Sequence, residues 1–449
     1  MTNLAGSRVL VVGLGVSGYA AARALRGVAA SVRVTEGNDT PAIRARAAAL
    51  SSEGISVEIG GHDLNDLRAD VAVLSPGIPP HASVVRALVD GGVPVIGEVE
   101  CAYRLAECQF IAVTGTNGKT TTTSLLAAML QEGGVESLAA GNIGTPLAEA
   151  VAQVSPDGVI VLEVSSFQLE TIERFRPGVA VLLNIAEDHM DWHASFDDYV
   201  AAKARLIENQ RAGDVFLPNF EDPLAMKIAG GAASRVVPFS ARALPEGGIG
   251  VDGGHIVYGA SQIVSLEEVP LPGLPGLEDT AAAAGAALSY GVDGAAVRRA
   301  IKEFRPLHHR LEVVGVVDGV TFIDDSKATN PHATLSAVET LENVVLIAGG
   351  RSKGIDLSPL AYAVPPVIAV VALGEAAHEI ERTFDGIAPV TLAADMDQAV
   401  RLAADRGEPG ATVLLSPACA SLDMYEDYAA RGRSFSRAVG ALAHGKRAS

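Results

Sequence analysis

The chain has few cysteines and no long apolar stretch. Its three cysteines among 449 residues, Cys101, Cys108 and Cys419, lack the spacing of a metal site and are odd in number, so we expect reduced thiols in the cytoplasm. No apolar run approaches the roughly 20 residues that span a bilayer. The N-terminus lacks a basic region before a cleavable apolar segment. These absences exclude a disulfide-stapled framework and predict neither a secretory signal nor a membrane partner.

Positive charge and aromatic side chains are also scarce. The 34 Lys and Arg residues stand against 53 Asp and Glu residues, a net charge of −19, which argues against a nucleic-acid partner. Aromatic residues make up 4% of the chain and hydrophobic residues 49%, a balance typical of α/β layers. The length exceeds that of a single core and suggests two or three domains. We expect a monomer that acts on small molecules.

Residues 111–123, IAVTGTNGKTTTT, are the most informative segment of the chain. β-branched residues lead into glycines, a lysine and hydroxyls, and the helical pattern SLLAAML follows. Glycines let backbone N–H groups close on a polyphosphate, and the helix N-terminus and a lysine add positive charge. The first hydroxyl is placed to hold Mg²⁺. The segment therefore predicts an ATP site made of Gly115, Thr116, Asn117, Gly118, Lys119, Thr120 and Thr121.

This loop departs from the standard P-loop spacing, because position 113 is Val113 and not a glycine. A compact GTNGKT turn could be a plain connection between a strand and a helix. The adjacent lysine and hydroxyl favour phosphate binding over that alternative.

Polar residues follow the next two apolar runs, in EVSSFQLE and NIAEDHMDWH. Glu163 ends the first run, where a carboxylate can join Thr120 in coordinating Mg²⁺. His189 follows the second run among acidic residues, and we predict that it contacts the metal or the phosphate. Lys203 lies in YVAAKARLIE on a predicted helix, and on local grounds alone it would be a solvated lysine.

The N-terminal segment has the pattern of a dinucleotide fold. The run RVLVVGL is followed by glycines in a GxGxxG arrangement, and Glu36 ends the next strand about twenty residues on. A further buried run opens into SPGIPP at residues 75–80, the position where such sheets bind ligands. A nucleotide-sugar diphosphate would use the same glycine turn.

The pattern of strands and helices predicts a three-domain α/β fold. A Rossmann-like unit at 1–97 precedes a P-loop ATPase-like unit at 98–305, and a second Rossmann-like unit occupies 306–449. A Gly/Pro-rich stretch between Val236 and Gly276 predicts a small β excursion in the central unit. The sequence RPLHHR, residues 305–310, marks the last boundary.

Several motifs occur in the order found in the Mur ligase family, and the resemblance covers essentially the whole chain. They are GTNGKTTT, GNIG, EVSSFQLE, NIAEDHMDWH, YVAAK, HHR, DDSKATNPHAT and LSPACASLD. The resemblance implies ATP-dependent C–N bond formation through an acyl phosphate, in the synthesis of cell-wall peptidoglycan precursors. EVSSFQLE and SPACASLD resemble the branch that adds D-glutamate to UDP-N-acetylmuramoyl-L-alanine (UDP-MurNAc-L-alanine).

The resemblance also implies roles for individual residues. Lys119 would contact the β- and γ-phosphates, and one Mg²⁺ would bind Thr120 and Glu163. A second Mg²⁺ would bind His189 and a carbamylated Lys203. His309, Arg310 and Asp325 would lie near the ATP at the last boundary. The UDP-sugar would contact Ser17, Glu36, Ser75, Gly77 and Asn142. The amino acid would contact Lys327, Thr329, Lys353, Ser421, Leu422 and Tyr428.

Two patterns of the family are absent. Glu36-Gly37-Asn38 replaces Asp-Thr-Arg, so no arginine stands at this uracil-side position, and GLPGLEDTAAAA replaces HNxxN, with Asp279 as the nearest polar residue. Two other functions stay open: a sister ligase, such as another Mur ligase or a folylpolyglutamate synthase, and a nucleotide switch in which hydrolysis drives only shape.

Overall fold

Four β-sheets organise the part of the chain that the computed structural model describes, residues 3–339 and 341–447. The chain divides into two compact units, within each of which the residues contact one another more than they contact the other unit. The first unit holds residues up to 185 together with 197–268 and 279–303, and the second holds 186–196, 269–278 and the residues from 304 onward. Among the described residues, none of the helices combines the length and apolar character needed to cross a bilayer.

The N-terminal sheet in the first unit is parallel throughout, in the order β3-β2-β1-β4-β5. Its strands are apolar because helices cover both faces, as in other doubly wound sheets. The strands are β1 (Arg8–Val12), β2 (Ser31–Glu36), β3 (Ser56–Ile59), β4 (Val71–Leu74) and β5 (Val95–Gly97). The helices are α1 (Val16–Leu25), α2 (Pro41–Ser52), α3 (Ser83–Asp90) and α4 (Glu98–Leu105).

The central sheet, also in the first unit, is parallel in the order β11-β10-β9-β6-β8-β7. Its strands are β6 (Gln109–Thr114), β7 (Ser137–Gly141), β8 (Val159–Glu163), β9 (Val179–Leu182), β10 (Val215–Pro218) and β11 (Arg235–Val236). The helices that follow are α5 (Lys119–Glu132), α6 (Leu147–Ala150), α7 (Ser166–Leu169), α8 (Phe196–Ala204), α9 (Pro223–Ala229), α10 (Gly273–Tyr290) and α11 (Gly294–Glu303). Short 3₁₀ helices span Arg205–Ile207 and Leu266–Glu268.

The small β excursion predicted between Val236 and Gly276 is a three-stranded antiparallel sheet. Its strands are β12 (Ile249–Asp252), β13 (His255–Tyr258) and β14 (Ser261–Ser265). Gly253 and Gly254 form the first hairpin turn with φ of 52° and 76°, values that glycine adopts without strain.

The C-terminal sheet, in the second unit, has the order β15-β16-β20-β17-β18-β19. Its strands are β15 (Glu312–Val317), β16 (Val320–Asp324), β17 (Val344–Gly349), β18 (Val367–Leu373), β19 (Val390–Leu392) and β20 (Thr412–Leu415). The helices are α12 (Pro331–Val338), α13 (Ala377–Thr383), α14 (Met396–Ala404), α15 (Tyr428–Arg447) and a 3₁₀ helix at Ser358–Ala363.

Sequence analysis missed the antiparallel edge strand β15 of this sheet. β15 and β16 form a hairpin around Asp318 and Gly319, whose φ values are 51° and 80°. An Asp-Gly pair between two apolar runs is a strong hairpin signal, since both central residues of such a turn take positive φ. The C-terminal unit is therefore a parallel sheet extended by one hairpin strand.

Helix α4 fastens the N-terminal sheet to the central sheet through two buried carboxylates. Glu98 accepts the backbone N–H of Ala148 at 3.2 Å, and Glu100 accepts the N–H groups of Glu173, Arg174 and Phe175 at 2.8 to 3.0 Å. Burial raises the pKa of Glu98 to about 7. Burial also acts upward on the pKa of Glu100, but the three N–H donors and Arg104 outweigh it and lower that pKa.

The raised pKa of Glu98 determines whether the free energy of unfolding rises or falls with pH. The folded state binds this proton more tightly than the unfolded state, so the wild-type protein loses stability as pH rises from about 4.5 to about 7. Glu98→Gln mimics the protonated form and removes this loss. We expect the variant to gain about 3 kcal/mol relative to wild type between pH 4 and pH 8, as measured by urea unfolding. If the stability difference between Glu98→Gln and wild type were the same at pH 4 and pH 8, Glu98 would not have a raised pKa in the folded protein.

Candidate active site

The loop between β6 and α5 is held in shape by two distant side chains. The Asn184 Oδ1 atom accepts the backbone N–H groups of Thr116 and Asn117 at 3.1 and 2.8 Å. Asp279, on α10, accepts the hydroxyl of Thr122 at 3.0 Å. A Cβ at Gly118 would lie 2.2 Å from the Asp279 Oδ1 atom, and Gly118 has φ of 84°. Only glycine fits there, which explains that residue of the GTNGKT motif.

Two lysines converge on one oxygen of this loop. Lys119 Nζ donates to the carbonyl oxygens of Gly115 and Thr116, both at 2.8 Å, and Lys203 Nζ donates to the same Gly115 oxygen at 2.7 Å. Lys203 is 1% exposed, and its Nζ lies 4.7 Å from the centre of the Tyr199 ring. Lys203 therefore belongs to the cluster around the β6–α5 loop and is not a solvated helix lysine.

Glu163 lies on the strand next to β6, with its Cα in register with that of Val113. The side chain is 2% exposed, and its Oε1 atom accepts the Asn142 amide at 2.9 Å. The buried Oε2 atom has no hydrogen-bond partner. A buried carboxylate oxygen without a partner is costly, and a hard cation such as Mg²⁺ would satisfy it.

The second unit contains the segment that follows β9. Asp188 is buried there and accepts Lys353 Nζ at 2.6 Å and the Asn330 amide at 3.2 Å. His189 has φ of 59°, and its Nε2 atom lies 3.6 Å from Asp188 Oδ2. Lys353, which the sequence predicts at the amino-acid site, therefore forms an ion pair with Asp188, the residue that precedes His189. Sequence analysis did not anticipate this ion pair.

The remaining candidates for the amino-acid site follow β16 and β20 in the second unit. Lys327 Nζ lies 5.1 Å from the centre of the Tyr428 ring, within range of a cation–π contact. Thr329 is half-buried, Ser421 is buried, and Leu422 is 59% exposed. Parallel strands end at one edge of a sheet, so these residues share that edge with the loop of Lys353, which follows β17.

The residues predicted near ATP at the last boundary form a buried polar cluster. His309 Nδ1 lies 2.7 Å from Asp324 Oδ2, and Asp325 accepts the Ser416 hydroxyl at 2.9 Å. Burial raises the pKa of Asp325 to about 7. The buried Nε atom of Arg310 has no hydrogen-bond partner.

The glycine turn after β1 is closed by Glu36, which is 5% exposed. One carboxylate oxygen accepts the Leu14 N–H at 2.6 Å and the other accepts the Asn38 N–H at 2.8 Å. Ser75 donates to the Gly13 carbonyl at 3.1 Å, and a Cβ at Gly18 would lie 2.0 Å from that oxygen. Glu36 and Ser75 therefore shape the turn, and half-buried Ser17 and exposed Gly77 lie in the segments that flank it.

One cation at this turn was missed by sequence analysis. The Arg46 guanidinium, on α2, donates to the Leu14 carbonyl at 3.2 Å. Arg46 lies eight residues after Asn38 along the chain, so the motif that ends β2 gives no sign of it. In the structure Arg46 is half-buried and directly precedes buried Ala47.

Family models match three consecutive parts of the chain. A Mur ligase MurD-like N-terminal domain matches residues 7–97, a Mur ligase middle domain matches 113–286, and a Mur ligase glutamate ligase domain matches 309–419. The chain belongs to the Mur ligase family, and the predicted three-domain α/β fold is confirmed. The positions of the domain boundaries and the roles of the site residues stay predictions.

Curated relatives narrow the comparison within this family. The UDP-N-acetylmuramoylalanine–D-glutamate ligase of Acidobacterium capsulatum is 43% identical over 452 residues, covering 98% of this chain and 97% of the relative. The ligase of the same name from Frankia casuarinae is 43% identical over 445 residues, covering 97% of this chain and 94% of the relative. The solved UDP-N-acetylmuramate–alanine ligase MurC of Thermotoga maritima has a TM-score of 0.61 at 18% identity, covers 97% of this chain and 100% of its own, and shows the shared fold.

Proposed function

We propose that this chain joins D-glutamate to UDP-MurNAc-L-alanine in an ATP-dependent reaction that forms a C–N bond during peptidoglycan precursor synthesis. The substrates are those in the names of the curated relatives. The observation that carries the proposal is the cluster at the ends of β6 and β8. Two ammonium groups meet there on one carbonyl oxygen, next to a strand that ends in a carboxylate with an unpaired oxygen.

The three predicted domains would divide the substrates among them. In this proposal residues 1–97 bind the UDP-sugar, residues 98–305 bind ATP, and residues 306–449 bind the amino acid. The reaction would take place in the cytoplasm, where ATP is available, and one copy of the chain would suffice.

The chemistry follows from the poor reactivity of a carboxylate toward amines. Transfer of the γ-phosphate to the terminal alanine carboxylate replaces a poor oxide leaving group with phosphate. The amine of glutamate then attacks the acyl carbon, and the tetrahedral intermediate expels inorganic phosphate. Lys119 would neutralise the phosphate oxygens as charge moves between them, and Asn142 would hold the incoming carboxylate. The last unit would bring the amine within bond-forming reach.

Magnesium ions fit the donor set in this proposal. Thr120 and Glu163 would hold one ion, and His189 with a carbamate on Lys203 would hold a second. Bound Mg²⁺ polarises phosphate oxygens and offsets their charge. The orphaned Glu163 oxygen supports the first site.

Carbamylation of Lys203 would relieve an electrostatic conflict. Lys119 and Lys203 both carry ammonium groups within hydrogen-bond distance of the Gly115 oxygen, and like charges this close repel each other. The Lys203 ammonium first loses a proton, and the neutral amine then forms an N–C bond to CO₂ and releases a second proton, so that a cation is replaced by a carbamate anion. The new carboxylate attracts both Lys119 and a metal ion.

Mass spectrometry tests the function directly. The protein is incubated with ATP and UDP-MurNAc-L-alanine whose alanine carboxyl carries oxygen-18, together with D- or L-glutamate. We expect the glutamate adduct with D-glutamate alone, and one oxygen-18 atom in the released phosphate. Phosphate release that is independent of every amino acid, or phosphate without the label, would sink the proposal.

Arg46 is expected to help bind the UDP-sugar. The substrate diphosphate needs positive charge at the glycine turn of an acidic protein, and Arg46 already reaches that turn. Arg46→Ala should raise the KM for UDP-MurNAc-L-alanine about tenfold, the cost of one charge-assisted hydrogen bond, without changing the KM for ATP. Arg44→Ala is the matched control, because exposed Arg44 on the same helix pairs with Asp39 at the surface. Equal effects of the two variants would rule out the role.

A further inference from the structure

Arg431, in the first turn of α15, is a buried cation that the reaction scheme does not use. It is 2% exposed, and its guanidinium makes four hydrogen bonds. The Nε atom donates to the Ser326 hydroxyl at 3.0 Å, and one terminal nitrogen donates to the Ser326 carbonyl at 2.8 Å. The other terminal nitrogen donates to the carbonyls of Gly349 at 3.3 Å and Cys419 at 3.0 Å.

These three acceptor residues belong to three different turns. Ser326 follows β16, Gly349 ends β17, and Cys419 follows β20, and these are adjacent strands in the order β16-β20-β17. One planar side chain thus joins the carboxyl ends of three neighbouring strands. Arg351 and Ala420 exchange two backbone hydrogen bonds at 2.9 Å, which joins two of the same turns a second time.

Each turn also carries one of the polar residues predicted to contact the amino acid. Lys327 directly follows Ser326, Lys353 lies four residues beyond Gly349, and Ser421 lies two residues beyond Cys419. The hydroxyl of Ser326 donates in turn to the Tyr428 carbonyl at 2.7 Å. Movement of Arg431 would therefore displace Lys327, Lys353 and Ser421 relative to one another.

A buried arginine is a poor means of stabilising a fold. Removing the guanidinium from water is costly, and an apolar side chain of similar size often serves stability equally well. Burial lowers the pKa of Arg431 to about 10. What arginine offers is a rigid fork of five donors, and here the fork meets four acceptors on three turns. Arg431 fixes the geometry of the three turns, and this benefit offsets the cost of removing its guanidinium from water.

The next residue, Gly432, lets the helix come close enough. A Cβ there would lie 2.2 Å from His309 Nδ1 and 2.6 Å from Asp324 Oδ2. Because Gly432 has no Cβ, helix α15 can pack close to His309 and Asp324. This close packing brings the Arg431 guanidinium within reach of its acceptors.

We propose that Arg431 is a positioning residue for the amino-acid substrate, setting the spacing of Lys327, Lys353 and Ser421 by tying together the turns that carry them. The proposal rests on the function proposed above and adds a determinant of glutamate binding. Arg431 acts through these turns and does not itself contact the substrate.

Steady-state kinetics of Arg431→Lys test the role. Lysine keeps the charge and the stem but cannot reach three turns at once, so the three contacts should lose their common spacing. A displacement of about 1 Å can cost about 100-fold, and we expect the KM for D-glutamate to rise between about 10- and 100-fold. The KM values for ATP and UDP-MurNAc-L-alanine should change less than about twofold. Arg437→Ala, an exposed arginine on the same helix that bonds Ser434, is the matched control.

A milder variant covers the case in which Arg431→Lys does not fold. Ser326→Ala removes only the hydroxyl that accepts from Nε and should raise the KM for D-glutamate by a smaller factor, again without a change for ATP. In the double variant, Arg431→Lys with Ser326→Ala, the rise in the KM for D-glutamate should be smaller than the two single effects combined. Both changes break the same hydrogen-bond network around Ser326. Parallel rises of all three KM values, an unchanged KM for D-glutamate, or full additivity would each overturn the proposal. Wild-type protein that forms no glutamate adduct would instead overturn the proposed function.

Discussion

Lys119→Ala is expected to lower ATP-dependent product formation about 1000-fold. The lysine directly follows the glycine loop that is predicted to hold the phosphates, and removal of one preorganised donor from a reacting oxyanion costs about that much. Phosphate release and the glutamate adduct, measured together by mass spectrometry, give the result. Lys302→Ala serves as the control, because Lys302 is 49% exposed and pairs with Glu268 at the surface.

The same variant separates loss of chemistry from loss of structure. Lys119 also donates to the Gly115 and Thr116 carbonyls, so its removal frees part of the loop. The glycine turn after β1 lies on a different sheet. Binding of UDP-MurNAc-L-alanine, measured by calorimetry, should therefore stay within about twofold of wild type. Normal turnover in Lys119→Ala would contradict the assigned role.

Lys203→Ala should also be severely impaired, and short carboxylic acids should restore part of its activity. The change removes the proposed carbamate, and loss of a group that holds a metal ligand in place typically costs 10- to 100-fold, so a ligand should cost about 100-fold or more. Acetate or formate can enter the space left by the buried side chain and supply the missing carboxylate. We expect at least about a tenfold recovery in steady-state rate at saturating acid.

Two controls make this rescue specific. Lys227→Ala removes an exposed lysine from helix α9 and should show neither loss nor stimulation. Chloride at equal ionic strength should leave Lys203→Ala inactive. Without recovery in acetate or formate, Lys203 would act as a simple cation.

The sequence predicted those parts of the fold and site that are local in the chain. The glycine turn after β1, the GTNGKT loop and the strand that ends at Glu163 are each complete within a few residues, because turn geometry and strand periodicity are short-range properties. The Asp-Gly pair between β15 and β16 is an equally local signal, because it predicts a hairpin from two neighbouring residues.

The parts that could not be predicted depend on residues far apart in sequence. Asn184 shapes a loop 67 residues earlier, and Arg431 bonds Ser326 across 105 residues. Arg46 reaches the glycine turn from α2, whose sequence PAIRARAAALSS contains no motif for a ligand contact. Such partners follow from the order of strands in a sheet, and local periodicity carries no information on that order.

Helix α4 has a consequence for building chimeras from members of this family. It follows the last N-terminal strand in the chain, yet Glu98 and Glu100 bond to amides of the central part. Immediately before the helix, a Cβ at Gly97 would lie 2.1 Å from the Thr171 hydroxyl. A crossover placed inside α4 would pair acidic side chains from one parent with loops from another. Recombination upstream of β5, in the turn at residues 91–94, would transfer the helix together with the amides that it caps.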